Sequence, residues 1–256
     1  MARQTRRLSS MLLLLTGEGS TDIGSAAVRQ TVCGPGEWQP GPMAVLANQL
    51  YEKHIGYSAL NTFAYFVPEA KLTQYAKTIQ QKRRGCGQNL FHKKSSHALA
   101  LLAFELSSEQ ADAPVVAVFF RDCDGTRTTP LSRYDALYES IKGPKGGFGG
   151  AGLLSGVPML PKPKSEAWLL CAVQERPYEH CSKLEELPGN DNSPKSVKKI
   201  FQERRDALGN AACTLACRNC EACVIRADRI DMPSFKRFAQ DLDAALGYAT
   251  HGDWHE

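Results

Sequence analysis

The chain has 256 residues, of which 43% are hydrophobic and 23% charged, and its formal net charge is +4. That length and apolar content suit one large domain, or a domain with an elaboration, that buries a proper core. A charge of only +4 excludes a polybasic nucleic-acid coat, while leaving a local basic face open, and no segment approaches the ~18 apolar residues of a membrane span.

The N-terminus carries Arg3, Arg6 and Arg7 and leads into Met11-Leu12-Leu13-Leu14-Leu15, which mimics a secretory signal. The apolar run is too short for a signal core and meets Gly17-Glu18-Gly19, so it reads as a first strand. Nine cysteines at irregular spacing, without a secretory signal, read as reduced thiols in a cytoplasmic protein, with metal as an alternative for some.

Residues 20–29 read as a cap and the start of a helix. Residues 33–42 are dense in Gly and Pro and read as a loop. A helix follows over 43–54, with Val45, Leu46, Leu50 and Tyr51 at helical spacing, then a short strand over 63–67. Residues 71–110 are helical in character, interrupted at Gly85-Cys86-Gly87. Lys82, Arg83, Arg84, His92, Lys93 and Lys94 surround that break, as a solvated loop or a phosphate-contacting patch. The helix over 95–106 leads into Val115-Val116-Ala117-Val118-Phe119-Phe120. This run and the first strand are continuously apolar and bounded by turn residues, as buried central strands are.

Residues 133–142 read as a helix and 143–156 as a flexible Gly-rich loop; the loop lacks the Gly-x-x-x-x-Gly-Lys-Ser/Thr order of a phosphate cradle. A strand over 157–160 enters Pro161-Lys162-Pro163-Lys164-Ser165-Glu166-Ala167-Trp168-Leu169-Leu170, where Ser165 is a candidate N-cap and Glu166 falls in the first helical turn. Residues 189–194 form a turn, 195–207 a basic helix, and 233–245 a last helix with Phe235, Phe238, Leu242 and Leu246 as its apolar stripe.

In an open α/β sheet, the loops after the strands gather along one edge, where ligands bind. Glu18 follows the first strand, and Asp122 and Asp124 follow the 115–120 strand, so the three carboxylates can converge. Hard oxygen ligands in one place need a cation, and Mg²⁺ takes a few carboxylates together with water and phosphate oxygens. Mn²⁺ would serve the same ligands. Asp122 and Asp124 are two apart and can face one ion. Glu166 has two readings, a helix-start carboxylate and a second-metal ligand. Asp22 is either a site member or an ordinary first-turn acid. Arg121, Lys162 and Lys164 are candidate contacts to a substrate phosphate.

Cys213, Cys217, Cys220 and Cys223 form a C-x₃-C-x₂-C-x₂-C run. Zinc or an iron–sulfur cluster is one reading. The favoured reading is one side of a helix, on which the outer two thiols would be ~15 Å apart, too far for a single tetrahedral ion. A third reading joins part of the run to Cys181.

A Glu in a Gly-flanked loop after the first strand, followed by a later Asp-x-Asp, resembles the Toprim fold of topoisomerases, primases, small RNases and the OLD-type nucleases of phage defence. The 161–170 segment resembles the P-x-x-E-A-W-L-L stretch of small Toprim-like proteins encoded beside ATPases, and 233–242 resembles their C-terminal helix. The resemblance implies an α/β, Rossmann-like, mostly parallel sheet flanked by helices. It sets a catalytic core at 1–175 and a helical C-terminal elaboration at 176–256 packed on it. It gives Glu18 metal-binding or general acid/base duties. It further implies a Mg²⁺-dependent nuclease on DNA or RNA, the effector of an anti-phage system, with no membrane association. The chain has no Walker A sequence, so an ATPase partner is implied. The alternative is a non-catalytic Toprim-fold adaptor for that ATPase. A topoisomerase would need a separate tyrosine-bearing domain, and a primase a nucleotide-loading region.

Overall fold

A computed structural model describes residues 10–79, 92–123, 133–173, 181–207 and 225–251. Leu12–Gly17 (β1) is buried along its whole length, as is Val115–Phe120 (β5). With Ala64–Val67 (β4) and Gly156–Met159 (β6) they form a four-stranded parallel sheet in the order β4-β1-β5-β6. Side chains alternate across it. Leu13, Leu15, Val116, Val118 and Phe120 enter one apolar cluster, and Leu12, Leu14, Val115, Ala117 and Phe119 enter another. The fold is therefore α/β with helices on both faces, a Rossmann-like arrangement.

The first face is covered by Pro42–Ile55 (α1), Ser165–Ala172 (α5) and Pro233–His251 (α8). The second is covered by Lys93–Glu109 (α3) and Arg133–Ala151 (α4), with Glu69–Thr78 (α2) beside α3. Cys181–Leu184 (α6) and Val197–Ala207 (α7) pack on α5. Helix α8 shares its cluster with β1, β5 and β6, and its Phe235, Phe238, Leu242 and Leu246 are buried there. Trp168 of α5 donates to Ser234 Oγ at 2.9 Å and meets Phe235 edge-on at 4.9 Å.

Three segments differ from the sequence reading. Residues 20–29 form no α-helix. A single π-helical turn, Gly19–Ile23, runs into Gly24–Ala26 (β2), which pairs antiparallel with Trp38–Pro40 (β3). Gly24 sits at φ +148°, where a Cβ would lie 2.7 Å from Gln39 O, and the ladder to β3 then takes the backbone away from helix. The Gly/Pro-dense 33–42 loop accordingly contains β3 and the start of α1.

The Gly-rich 143–156 stretch is not a loop either: α4 continues through Pro144 to Ala151. Tertiary packing overrides propensity here. A Cβ on Gly147 would lie 1.9 Å from Ser96 Oγ and 2.3 Å from Lys93 O, so glycine lets α4 approach the α3 backbone. Phe148 is buried in the second cluster, and the helix stops at Gly152 with φ +85°.

The third difference is at the cysteines. Cys171 and Cys181 form a disulfide joining α5 to α6, whereas the sequence reading expects reduced thiols; these two helix ends lie side by side, with Cα atoms 5.5 Å apart. Cys33 and Cys123 are buried. Cys213, Cys217, Cys220 and Cys223 lie outside the described residues. Among the described residues, no helix is long and apolar enough to cross a membrane.

The α3–α4 contact makes a direct prediction. Gly147→Ala should destabilise the fold by about 1–3 kcal/mol through overpacking. Gly149→Ala meets nothing within 4 Å and should stabilise by about 0.5–1 kcal/mol through helix propensity. Urea unfolding of the two variants checks both signs.

Candidate active site

Strand β1 lies between β4 and β5. The chain leaves β1 for β4 through α1 on one face and reaches β5 through α2 and α3 on the other. A crevice therefore opens beyond the carboxyl ends of β1 and β5, the switch point where α/β sheets bind ligands. Glu18 and Asp122 emerge there. Gly17 permits the approach, since a Cβ on it would sit 2.6–2.8 Å from atoms of Phe120.

Both oxygens of Glu18 are engaged. Oε1 accepts the Asp122 backbone N–H at 2.9 Å, and Oε2 accepts Arg121 Nη1 at 2.7 Å. Arg121 also donates from Nη2 to Glu69 Oε1 at 3.0 Å, and its guanidinium lies over the Phe119 ring at 5.5 Å. Only 10% of the Arg121 side chain is exposed, and its Nε is buried with no hydrogen-bond partner among the described residues. Arg121, read from sequence as a phosphate contact, is thus packed as a bridge between two glutamates. The His92 ring lies tilted against the same Phe119 ring, with centroids 5.7 Å apart. Burial, then the Arg121 charge, pushes the His92 imidazole below its usual pKa, with Glu18 and Glu69 opposing. His92 also holds a left-handed backbone, with φ 64°.

A second carboxylate group adjoins the first. Asp122 Oδ1 accepts the Ser165 backbone N–H at 2.9 Å, at the first turn of α5, where the helix dipole favours an anion. Ser165 does not cap this helix. The N-cap is Lys164, and Ser165 Oγ donates to Asp22 Oδ1 at 2.7 Å, with Glu166 Oε2 at 3.4 Å. Asp22, Asp122 and Glu166 therefore surround one serine. Burial and, after it, the Asp22 charge raise the Glu166 carboxyl above the usual range, while Lys164 and Lys198 act in the other direction.

The remaining sequence candidates fall as follows. Lys164 pairs with Asp191 at 3.0 Å, and Lys198 reaches the same carboxylate at 3.1 Å. Burial disfavours the Asp191 charge, but the two lysine hydrogen bonds outweigh it and hold that carboxyl below its usual range. Lys162 is half-exposed and makes no ion pair among the described residues. Asp124 lies outside the described residues. Glu69 was not singled out from sequence, although it follows β4 as Glu18 follows β1, and a carboxylate just past a strand is the signal that marks both.

The donors gathered here are hard oxygens of the kind a divalent cation takes. Among the described residues, however, no three His, Cys, Asp or Glu side chains are grouped to hold one ion, and Glu18 is turned to Arg121. Cation binding by Glu18 would require it to leave Arg121. The chain matches no protein-family profile, no curated protein and no solved structure.

The raised Glu166 carboxyl implies a pH dependence with a definite sign. Between its ordinary pKa and its raised one, the folded chain holds the proton more tightly than the unfolded chain, so stability falls as pH rises through that window. Glu166→Gln should flatten this segment of the stability–pH curve, and should leave the protein as stable as the parent below the window. Thermal melts from pH 4 to 8 would check it; a curve unchanged by the substitution would remove the assignment.

Proposed function

We propose that the chain is a Toprim-type nuclease that cleaves phosphodiester bonds in DNA or RNA with Mg²⁺ or Mn²⁺. The observation that carries this reading is the meeting of Glu18 and Asp122 across the β1–β5 crevice, with Asp22 and Glu166 held beside them through Ser165. When bound, the cation would polarise the attacked phosphoryl oxygen and lower the pKa of a water. Glu18, Asp122, Asp124 and Glu166 are the residues that would hold it. Glu18 also anchors the Asp122 backbone, so it sets where the Asp122 side chain starts. Ser165 orients Asp122 through its backbone N–H and Asp22 through its hydroxyl.

An ATPase partner completes the reading, because the sequence holds candidate metal ligands and no Walker A motif, and the anti-phage role rests on the resemblance to OLD-type nucleases alone. The setting is cytoplasmic. There the Cys171–Cys181 disulfide would face a reducing milieu, but both residues are almost wholly buried, at 0% and 1% exposure, which shields them from thiol exchange. A second reading, the non-catalytic adaptor, draws on the Arg121 bridge, which occupies Glu18 and Glu69 as a bound cation would.

Plasmid and oligonucleotide cleavage by the purified protein, with Mg²⁺ or Mn²⁺ against EDTA, separates the two. The nuclease reading expects weak turnover at low salt that drops by about 100-fold or more in Asp122→Asn and Asp124→Asn. It also expects Mg²⁺ or Mn²⁺ to raise the melting temperature of the parent but not of Asp122→Asn. No cleavage and no cation-induced shift would leave the adaptor reading. Vigorous turnover at physiological salt would remove the ATPase requirement alone.

A further inference from the structure

A cleft of about 590 Å³ opens beside the carboxylates, between the turn after β1 and helix α2. Gly17 and Gly19, which flank Glu18, line its inner end together with Glu69. Its walls carry the hydroxyls of Ser20, Ser25 and Thr73, and Arg29 and Lys77 also line it. Both cations are exposed, and neither is ion-paired among the described residues. The acid in the lining, Glu69, is ion-paired with Arg121, which it shares with Glu18. The cleft thus offers donors and positive charge, and it borders the Gly17 and Gly19 turn that carries Glu18.

Building on the nuclease reading, we propose that this cleft carries the sugar–phosphate backbone of a single nucleic-acid strand into the site, with Arg29 and Lys77 as its phosphate contacts. Its volume lies within the 300–1,000 Å³ range of small-ligand sites, which suits a short length of one strand and not a duplex. The aromatic ring in the lining, Phe66, is 4% exposed, so no stacking platform is offered to bases. Recognition is therefore of the backbone and independent of base sequence. Hydroxyl and glycine-backbone donors suit phosphate oxygens in the same way. The tight turn that shapes the inner wall depends on Gly19 at φ +77°, where a Cβ would lie 2.4 Å from Asp22 Oδ2.

The test measures binding apart from chemistry. Fluorescence anisotropy of a labelled mixed-sequence 12-nucleotide DNA, in EDTA, is followed between 50 and 200 mM salt, with a duplex and an RNA of the same sequence as companion probes. The double variant Arg29→Ala/Lys77→Ala should bind the single strand roughly tenfold more weakly, and the slope of log K against log salt should fall by about 1.4 for two lost phosphate contacts. Lys53→Ala/Lys236→Ala removes equal charge from a second hollow between α1 and α8 and should leave binding unchanged. Unchanged binding in the Arg29/Lys77 variant, no binding by the parent at 50 mM salt, or a preference for duplex would each overturn the proposal. Metal-dependent cleavage that survives Arg29→Ala/Lys77→Ala with unaltered KM sinks the cleft alone. Variant-sensitive binding without any metal-dependent cleavage sinks the nuclease reading alone.

Discussion

Strand β1 is apolar on both sides, and both of its edges are paired. Leu12 and Leu14 face one cluster, Leu13 and Leu15 the other, while β4 and β5 take its hydrogen bonds. Each fully buried leucine contributes about 1.5–3 kcal/mol relative to an exposed one, so the chain gains most with helices on both faces. Parallel neighbours follow, because each return to the sheet must cross over a face. Tyr51 of α1 donates to Met11 O at 2.7 Å, and Thr16 Oγ1 donates to Val67 O at 2.6 Å, tying down the two ends of this strand. Everything beyond the end of β1, Glu18 included, is placed by that central position.

Charge is unevenly balanced across the carboxylates. Glu18 and Glu69 share the Arg121 guanidinium, which is nearly buried and packed on Phe119. On the other side of Asp122, Asp22 and Glu166 meet at Ser165, where a hydroxyl and a helix N-terminus supply donors but no full charge. The raised Glu166 carboxyl is the electrostatic record of this imbalance. Lys164 and Lys198 pull the other way but hydrogen-bond to Asp191, which holds them in place as a separate cluster. One half of the site therefore holds a guanidinium between its two carboxylates, whereas the other half has, among the described residues, no cation in contact with its acids.

The C-terminal part of the chain supports the site from behind. Helix α5, whose first turn carries Ser165 and Glu166, is fastened to α6 by the Cys171–Cys181 disulfide and to α8 through Trp168 and Ser234. The Ser234 backbone N–H in turn donates to the buried Glu185 at 2.7 Å. Gln49 of α1 bonds both Ile225 O and the Ala227 N–H at 2.7 Å, drawing the approach to α8 onto the first face. These contacts fix where α5 begins, and so where the second carboxylate group sits.

The sequence by itself determined the two central strands, the last helix and the positions of Glu18 and Asp122, because continuous apolar runs and a period-3.6 stripe are local signals that burial enforces. It also marked a helix start at Ser165 and Glu166. It did not reveal that Ser165 would turn from capping to bind Asp22, since that bond spans 143 residues of chain. Nor did it reveal Arg121 bridging Glu18 and Glu69, because the bridge needs three strand ends side by side. The Gly-rich end of α4 reads locally as a loop, and only the backbone of α3 pressed against Gly147 makes a small residue in a helix the better solution. Propensity and pattern act over a few residues, whereas the pairing of carboxylates with their donors and the closeness of two helices are settled by which elements the sheet brings together.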